Sequence, residues 1–132
     1  MREFHLKIAT PDGLVFDGNA EAILVRTDSG EVEIMAGHEN YFSTLGIGRA
    51  KLTAGGNTKI AASSGGFISV NGGECNVVAT TFEFSDEIDL ERAKKAKELA
   101  EEAIRKATND KELLLAKAKL MRAISRINVA EE

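Results

Sequence analysis

Tryptophan is absent, proline and cysteine occur once each, and aromatic residues make up only 5% of the chain. Each shortage excludes something. A single cysteine, Cys75, has no partner for an intrachain disulfide, so a disulfide-stapled fold is excluded and a reducing compartment is expected. One proline leaves room for uninterrupted helices. No apolar run approaches the roughly 18 residues of a membrane span, and no stretch reads as a signal peptide, so a soluble chain is expected. The net charge of −4 speaks against a general nucleic-acid binder, which needs a basic patch to displace counterions. What is present is 43% hydrophobic residues and 12 glycines in 132 residues. The core must therefore come from Val, Ile, Leu and Ala, and the chain must turn often. Its length suits one domain, or one small domain with an appendage.

The first part of the chain has a hydrophobic period of two. Phe4, Leu6 and Ile8 alternate with Glu3, His5 and Lys7, as a strand with one buried face requires. Thr10-Pro11-Asp12-Gly13 is a turn, since proline presets φ and glycine supplies positive φ. Leu14 to Phe16 reads as a short strand stopped at Asp17-Gly18, and Ala20 to Thr27 as the next. Asp28-Ser29-Gly30 turns the chain into Glu31-Val32-Glu33-Ile34-Met35. Gly37-His38-Glu39-Asn40 breaks the pattern before Tyr41-Phe42. Arg49 to Thr53 and Thr58 to Ala62, joined through Gly55-Gly56-Asn57, read as a hairpin. Phe67 to Val70 and Cys75 to Ala79 read as a second, with Asn71-Gly72 as its type I′ turn. Cys75 alternates with Val77 and Ala79 and reads as a small core residue. Short strands at this spacing predict a β-sandwich over residues 1–84.

Between Thr80 and Ala93 the period changes from two to about 3.6. Beyond it Ala93, Ala96, Ala100, Ala103 and Ala107 recur at gaps of three and four, a seam built of alanine. Thr108-Asn109-Asp110 interrupts it, and Asn109 with Glu112 predicts a capping box for a second helix. There Leu113, Ala116, Leu120, Ala123 and Ile127 repeat the spacing. So short a connection predicts an antiparallel two-helix hairpin over residues 85–132. Alanines allow close approach but bury little: a methyl contributes well under the ~1.5–3 kcal/mol of a buried leucine.

Two clusters are candidates for chemistry. With the hairpin loop near Thr108 and Asn109, Arg92 falls opposite Ser125, and Arg122 and Arg126 flank that position. Three guanidiniums near a helix N-terminus suit a polyphosphate. From the residues alone, three solvated arginines paired with Glu91 or Asp89, with Asp89 serving as an N-cap, is the commoner arrangement on an exposed helix. The second candidate is His38, close in sequence to Glu31 and Glu39. His5 and Cys75 are too far along the chain to complete a metal-ligand spacing with it. The chain has no Gly-Lys-Ser phosphate loop and no nucleophile elbow. A surface contact suits His38 better than catalysis, and neither a metal site nor a catalytic residue is expected.

Taken together, Thr10-Pro11-Asp12-Gly13 with Val15-Phe16, Gly30 to His38, Phe67 to Val70 and the hexapeptide Ile88 to Ala93 resemble the epsilon subunit of bacterial F-type ATP synthase. The resemblance covers the whole chain. One departure is Ala36, where the family usually has proline before the glycine-histidine pair. The resemblance implies a flattened β-sandwich of about ten strands followed by an antiparallel helical hairpin. It implies a non-catalytic rotor subunit on the central stalk, peripheral to the cytoplasmic face of the cell membrane. Its partners would be the gamma subunit and the c ring, with no nucleic acid among them. The hairpin would extend into the alpha/beta catalytic head to inhibit ATP hydrolysis. No cofactor is implied as required, but ATP is a regulatory ligand of some members. The family's ATP motif is matched by Ile88, Asp89, Arg92 and Ala93, with Glu83, Arg122 and Arg126 as partner positions. Glu31 and His38 match positions facing the c ring. A free-standing ATP-sensing protein using the same hairpin is the alternative.

Overall fold

In the computed structural model, which describes residues 2–132, the alternating segments become strands. These are β1 (Phe4–Thr10), β2 (Gly13–Ala20), β3 (Ala22–Thr27), β4 (Gly30–Met35) and β5 (Tyr41–Thr44). They continue with β6 (Gly48–Ala54), β7 (Asn57–Ser64), β8 (Phe67–Asn71), β9 (Glu74–Val78) and β10 (Thr81–Phe84). A single 3-10 turn at Ser85–Glu87 precedes helices α1 (Leu90–Lys106) and α2 (Asp110–Ala130). The chain divides into two units, one ending at Phe84 and one running Ser85–Glu132.

The first unit is a sandwich of two five-stranded sheets, ordered β2-β1-β9-β8-β5 and β10-β7-β6-β3-β4. All of its strand pairs are antiparallel except β1 with β9. The inward side chains of each strand meet those of the other sheet. Phe4, Leu6 and Ile8 of β1, Ile23 and Val25 of β3, Ile68 and Val70 of β8, and Cys75 and Val77 of β9 form one core. Burial raises the Cys75 thiol pKa to about 11, so it is protonated and packs as a small apolar group.

Two turns differ from the local reading. Asp17-Gly18 does not stop β2, which runs on to Ala20. Asp17 pairs with Lys7 in register, its carboxylate accepts from His5 Nε2 at 2.7 Å, and the Phe16 ring lies over the bare Gly18. The pairing with β1 overrides two turn-forming residues. In the β8–β9 hairpin, Asn71 pairs with Glu74, and the two turn residues are Gly72 and Gly73, at φ +60° and +83°. Two glycines occupy the positive-φ positions without the cost that Asn71 would incur there. A one-residue slip would also turn Ile68 and Val70 away from the core.

The β3–β4 turn is tied internally. The buried Thr27 hydroxyl donates to the Gly30 carbonyl at 2.7 Å and accepts from the Ser29 amide at 3.1 Å. That closes the corner from which Glu31 projects.

Candidate functional site

The second unit is the hairpin. Its helices begin where the cap chemistry dictates. The Asp89 side chain accepts the Arg92 amide at 3.1 Å, so Asp89 is the N-cap of α1. Ile88, half-buried, closes the preceding 3-10 turn through its amide to the Ser85 carbonyl. Asn109 caps α2 by accepting the Glu112 amide at 2.8 Å, and the Glu112 carboxylate returns to the Thr108 amide at 3.0 Å.

Ala93 and Ala100 on α1 and Ala116 and Ala123 on α2 are buried. Each pair lies the same number of residues before and after Thr108, which places the hairpin's midpoint there. Leu113, Leu120 and Ile127 are half-buried beside them. Ala96 and Ala103 are exposed, so the alanine seam is buried only at every seventh position of α1. A residue three positions on is rotated about 60° from the seam line, enough to carry it out of the contact.

That rotation opens a groove of about 290 Å³ along the hairpin, lined by Ala96, Leu99, Ala100, Ala103, Lys119, Arg122 and Arg126. Its α1 wall is small and apolar, and its α2 wall is cationic. The three cations follow at intervals of three and four, so they share one face. Helical side chains lean toward their own N-terminus, which carries Arg122 and Arg126 toward the middle of the hairpin. Between Glu112 and Glu131 α2 has no Asp or Glu at all. No carboxylate lines the groove.

The sequence-derived residues distribute as follows. Arg122 and Arg126 are half-buried and share the groove. Arg92 is exposed in the first turn of α1 and is not a lining residue, and Ala93 is buried in the seam. Asp89 is exposed and engaged in its cap. Glu83 belongs to the sandwich, half-buried on β10 opposite Ala62. Glu31 and His38 stand at opposite ends of β4. Glu31 is exposed and accepts from Arg49 Nε at 3.3 Å. His38, half-buried, stacks edge-on to Tyr41 at 5.7 Å, and its Nδ1–H donates to the Glu39 carbonyl at 2.8 Å. Lys119 escaped the reading of the sequence. The signal that could have found it is the acid-free run of α2.

The matching family models cover both units. The β-sandwich domain of the ATP synthase Delta/Epsilon chain matches residues 3–85, and its long alpha-helix domain matches residues 86–131. The ATP synthase epsilon chain of Bacillus licheniformis is 40% identical over 98% of this chain and 99% of its own length. That of Bacillus pumilus is 39% identical over 98% of both, and that of Caldicellulosiruptor saccharolyticus 37% over 100% and 96%. Among solved structures, a chain of the Euglena gracilis mitochondrial ATP synthase, determined with its OSCP, F1 and c ring, superposes with TM-score 0.83. It is 25% identical, over 98% of this chain and 82% of that one. A chain from the central stalk and c ring of the Tetrahymena thermophila mitochondrial enzyme shares the fold at TM-score 0.68 and 14% identity, over 98% and 97%.

Proposed function

Because the chain belongs to the ATP synthase Delta/Epsilon family, with both family domains present, we propose that it is a rotor subunit of an F-type ATP synthase whose hairpin senses ATP. The sandwich binds the gamma subunit and rests on the c ring, with Glu31 and His38 in that contact. The hairpin, when released, enters the catalytic head and blocks hydrolysis. The subunit itself carries out no bond chemistry.

The observation that carries the regulatory part is the groove, whose three cations face an apolar wall with no carboxylate among the lining residues. Cations on one face repel each other, and a triphosphate neutralises them. A ligand that binds only the closed hairpin stabilises it by about 2.7 kcal/mol at a hundredfold excess over Kd. A seam of four buried alanines is weak enough for such a shift to decide the conformation. ATP therefore holds the hairpin closed and the enzyme active, and its scarcity releases the inhibitory arm. Arg92 and Asp89 contribute at the start of α1.

Two measurements test this. Calorimetric titration with ATP should give binding at millimolar ligand that Arg122→Ala with Arg126→Ala abolishes. Absence of binding by the wild type, or binding unchanged in the double variant, refutes the sensing role. Co-purification with gamma should recover the chain. Failure there favours a free-standing ATP sensor.

A further inference from the structure

Four cations lie on α2 after Glu112: Lys117, Lys119, Arg122 and Arg126. Lys119, Arg122 and Arg126 line the groove, and Lys117 does not. The lysines are two positions apart, which turns their side chains roughly 200° apart around the helix. The neighbours of Lys119 one turn away are Leu115, Ala116, Arg122 and Ala123, so its own helix offers it no carboxylate. Its ammonium makes no salt bridge with any described residue. It is exposed at the loop-ward end of the cationic row, across from Ala96, Leu99 and Ala103.

We propose that Lys119 is a phosphate-binding residue of the hairpin, extending the row begun by Arg126 and Arg122 so that the groove grips an oligophosphate chain by its charge. The proposal rests on the reading of the hairpin as a nucleotide site and deepens it by naming what the groove recognises. The lining contains three cationic donors and four apolar side chains, with no side-chain acceptor for the amine of an adenine. Guanidiniums supply paired donors for adjacent phosphate oxygens. An ammonium adds a compact charge with three rotatable donors, suited to the mobile end of such a chain. The apolar wall opposite keeps water from one side and strengthens each contact.

The test is calorimetry on the full chain with ATP and, separately, inorganic tripolyphosphate, for wild type, Lys119→Ala, Lys119→Arg and Lys117→Ala. Lys119→Ala should weaken both ligands about tenfold, Lys119→Arg should restore most of the loss, and Lys117→Ala should change neither. Alanine is a good helix former at this exposed position, so the fold is retained, and circular dichroism checks it. Equal weakening by the two alanine variants would mean diffuse charge and overturn the proposal. ATP binding that ignores Lys119→Ala would overturn it while leaving the sensing role standing. Tripolyphosphate binding that depends on Lys119, without any ATP binding, would uphold the groove and remove the sensor. If wild type binds neither ligand, both fall.

Discussion

At the scale of single residues, glycine positions differ sharply in what they tolerate. Gly66 has φ +88°, and a Cβ there would lie 1.8 Å from the Val78 carbonyl oxygen, so backbone must move. Gly56 has φ +78° with nothing within 4 Å of such a Cβ. Gly66→Ala should therefore cost at least about 3 kcal/mol and Gly56→Ala about 1 kcal/mol, read by denaturant melts. Equal costs would show that the close approach at Gly66 is relieved without backbone strain. His5 makes a second case. Its pKa is raised, chiefly by its hydrogen bond to Asp17 and further by the charges of Asp17 and Glu74, at 2.7 and 3.5 Å. A raised pKa means that the protonated ring favours the folded state. The contribution is complete below the unfolded value near 6.5 and disappears as pH rises through the higher folded value. Wild type should thus melt above His5→Gln at about pH 6, with the gap narrowing as the pH is raised and the ring loses its proton. A gap that is constant with pH would assign the effect to packing.

At the scale of elements, the hairpin is defined by caps and small residues. Asp89→Ala should cost about 1 kcal/mol of hairpin stability and speed exchange of the Arg92 amide, because that donor loses its acceptor. Asp89→Asn keeps a capping oxygen and should leave stability unchanged. Loss of ATP affinity in Asp89→Asn would then report a contact from the carboxylate itself, free of the helix effect. The buried and exposed alanines give a matching contrast. Ala100→Leu overpacks the seam and should cost about 1–3 kcal/mol, whereas Ala103→Leu, at an exposed groove position, should cost under about 0.5 kcal/mol. Thermal melts followed by helical circular dichroism separate the two, and similar losses would mean that α1 is buried on both sides of the seam line.

At the scale of the whole molecule, every residue of the sandwich core lies at or before Phe84. A fragment ending there should melt cooperatively and retain gamma, while losing ATP binding with the hairpin. A non-cooperative melt would show that the sandwich depends on the second unit. No helix of the described residues is long and apolar enough to cross a membrane.

How much of this was legible in the chain itself follows from what is local. Alternation at Phe4, Leu6 and Ile8, the change of period after Thr80, and the caps at Asp89 and Asn109 depend on neighbours within one turn or one strand. They could be read directly because side-chain direction follows from backbone period alone. The sandwich and the hairpin were legible on that ground. Tertiary structure decided which partner each exposed face met. It carried β2 through Asp17-Gly18 by pairing it with His5 and Lys7, and moved the β8–β9 turn to Gly72-Gly73 by holding Ile68 and Val70 inward. It also buried Ala93 and Ala100 while leaving Ala96 and Ala103 to a groove, and brought Lys119 into that groove beside Arg122 and Arg126. The period of a helix says which residues share a face, but how wide a contact that face makes depends on the helix packed against it, far away along the chain.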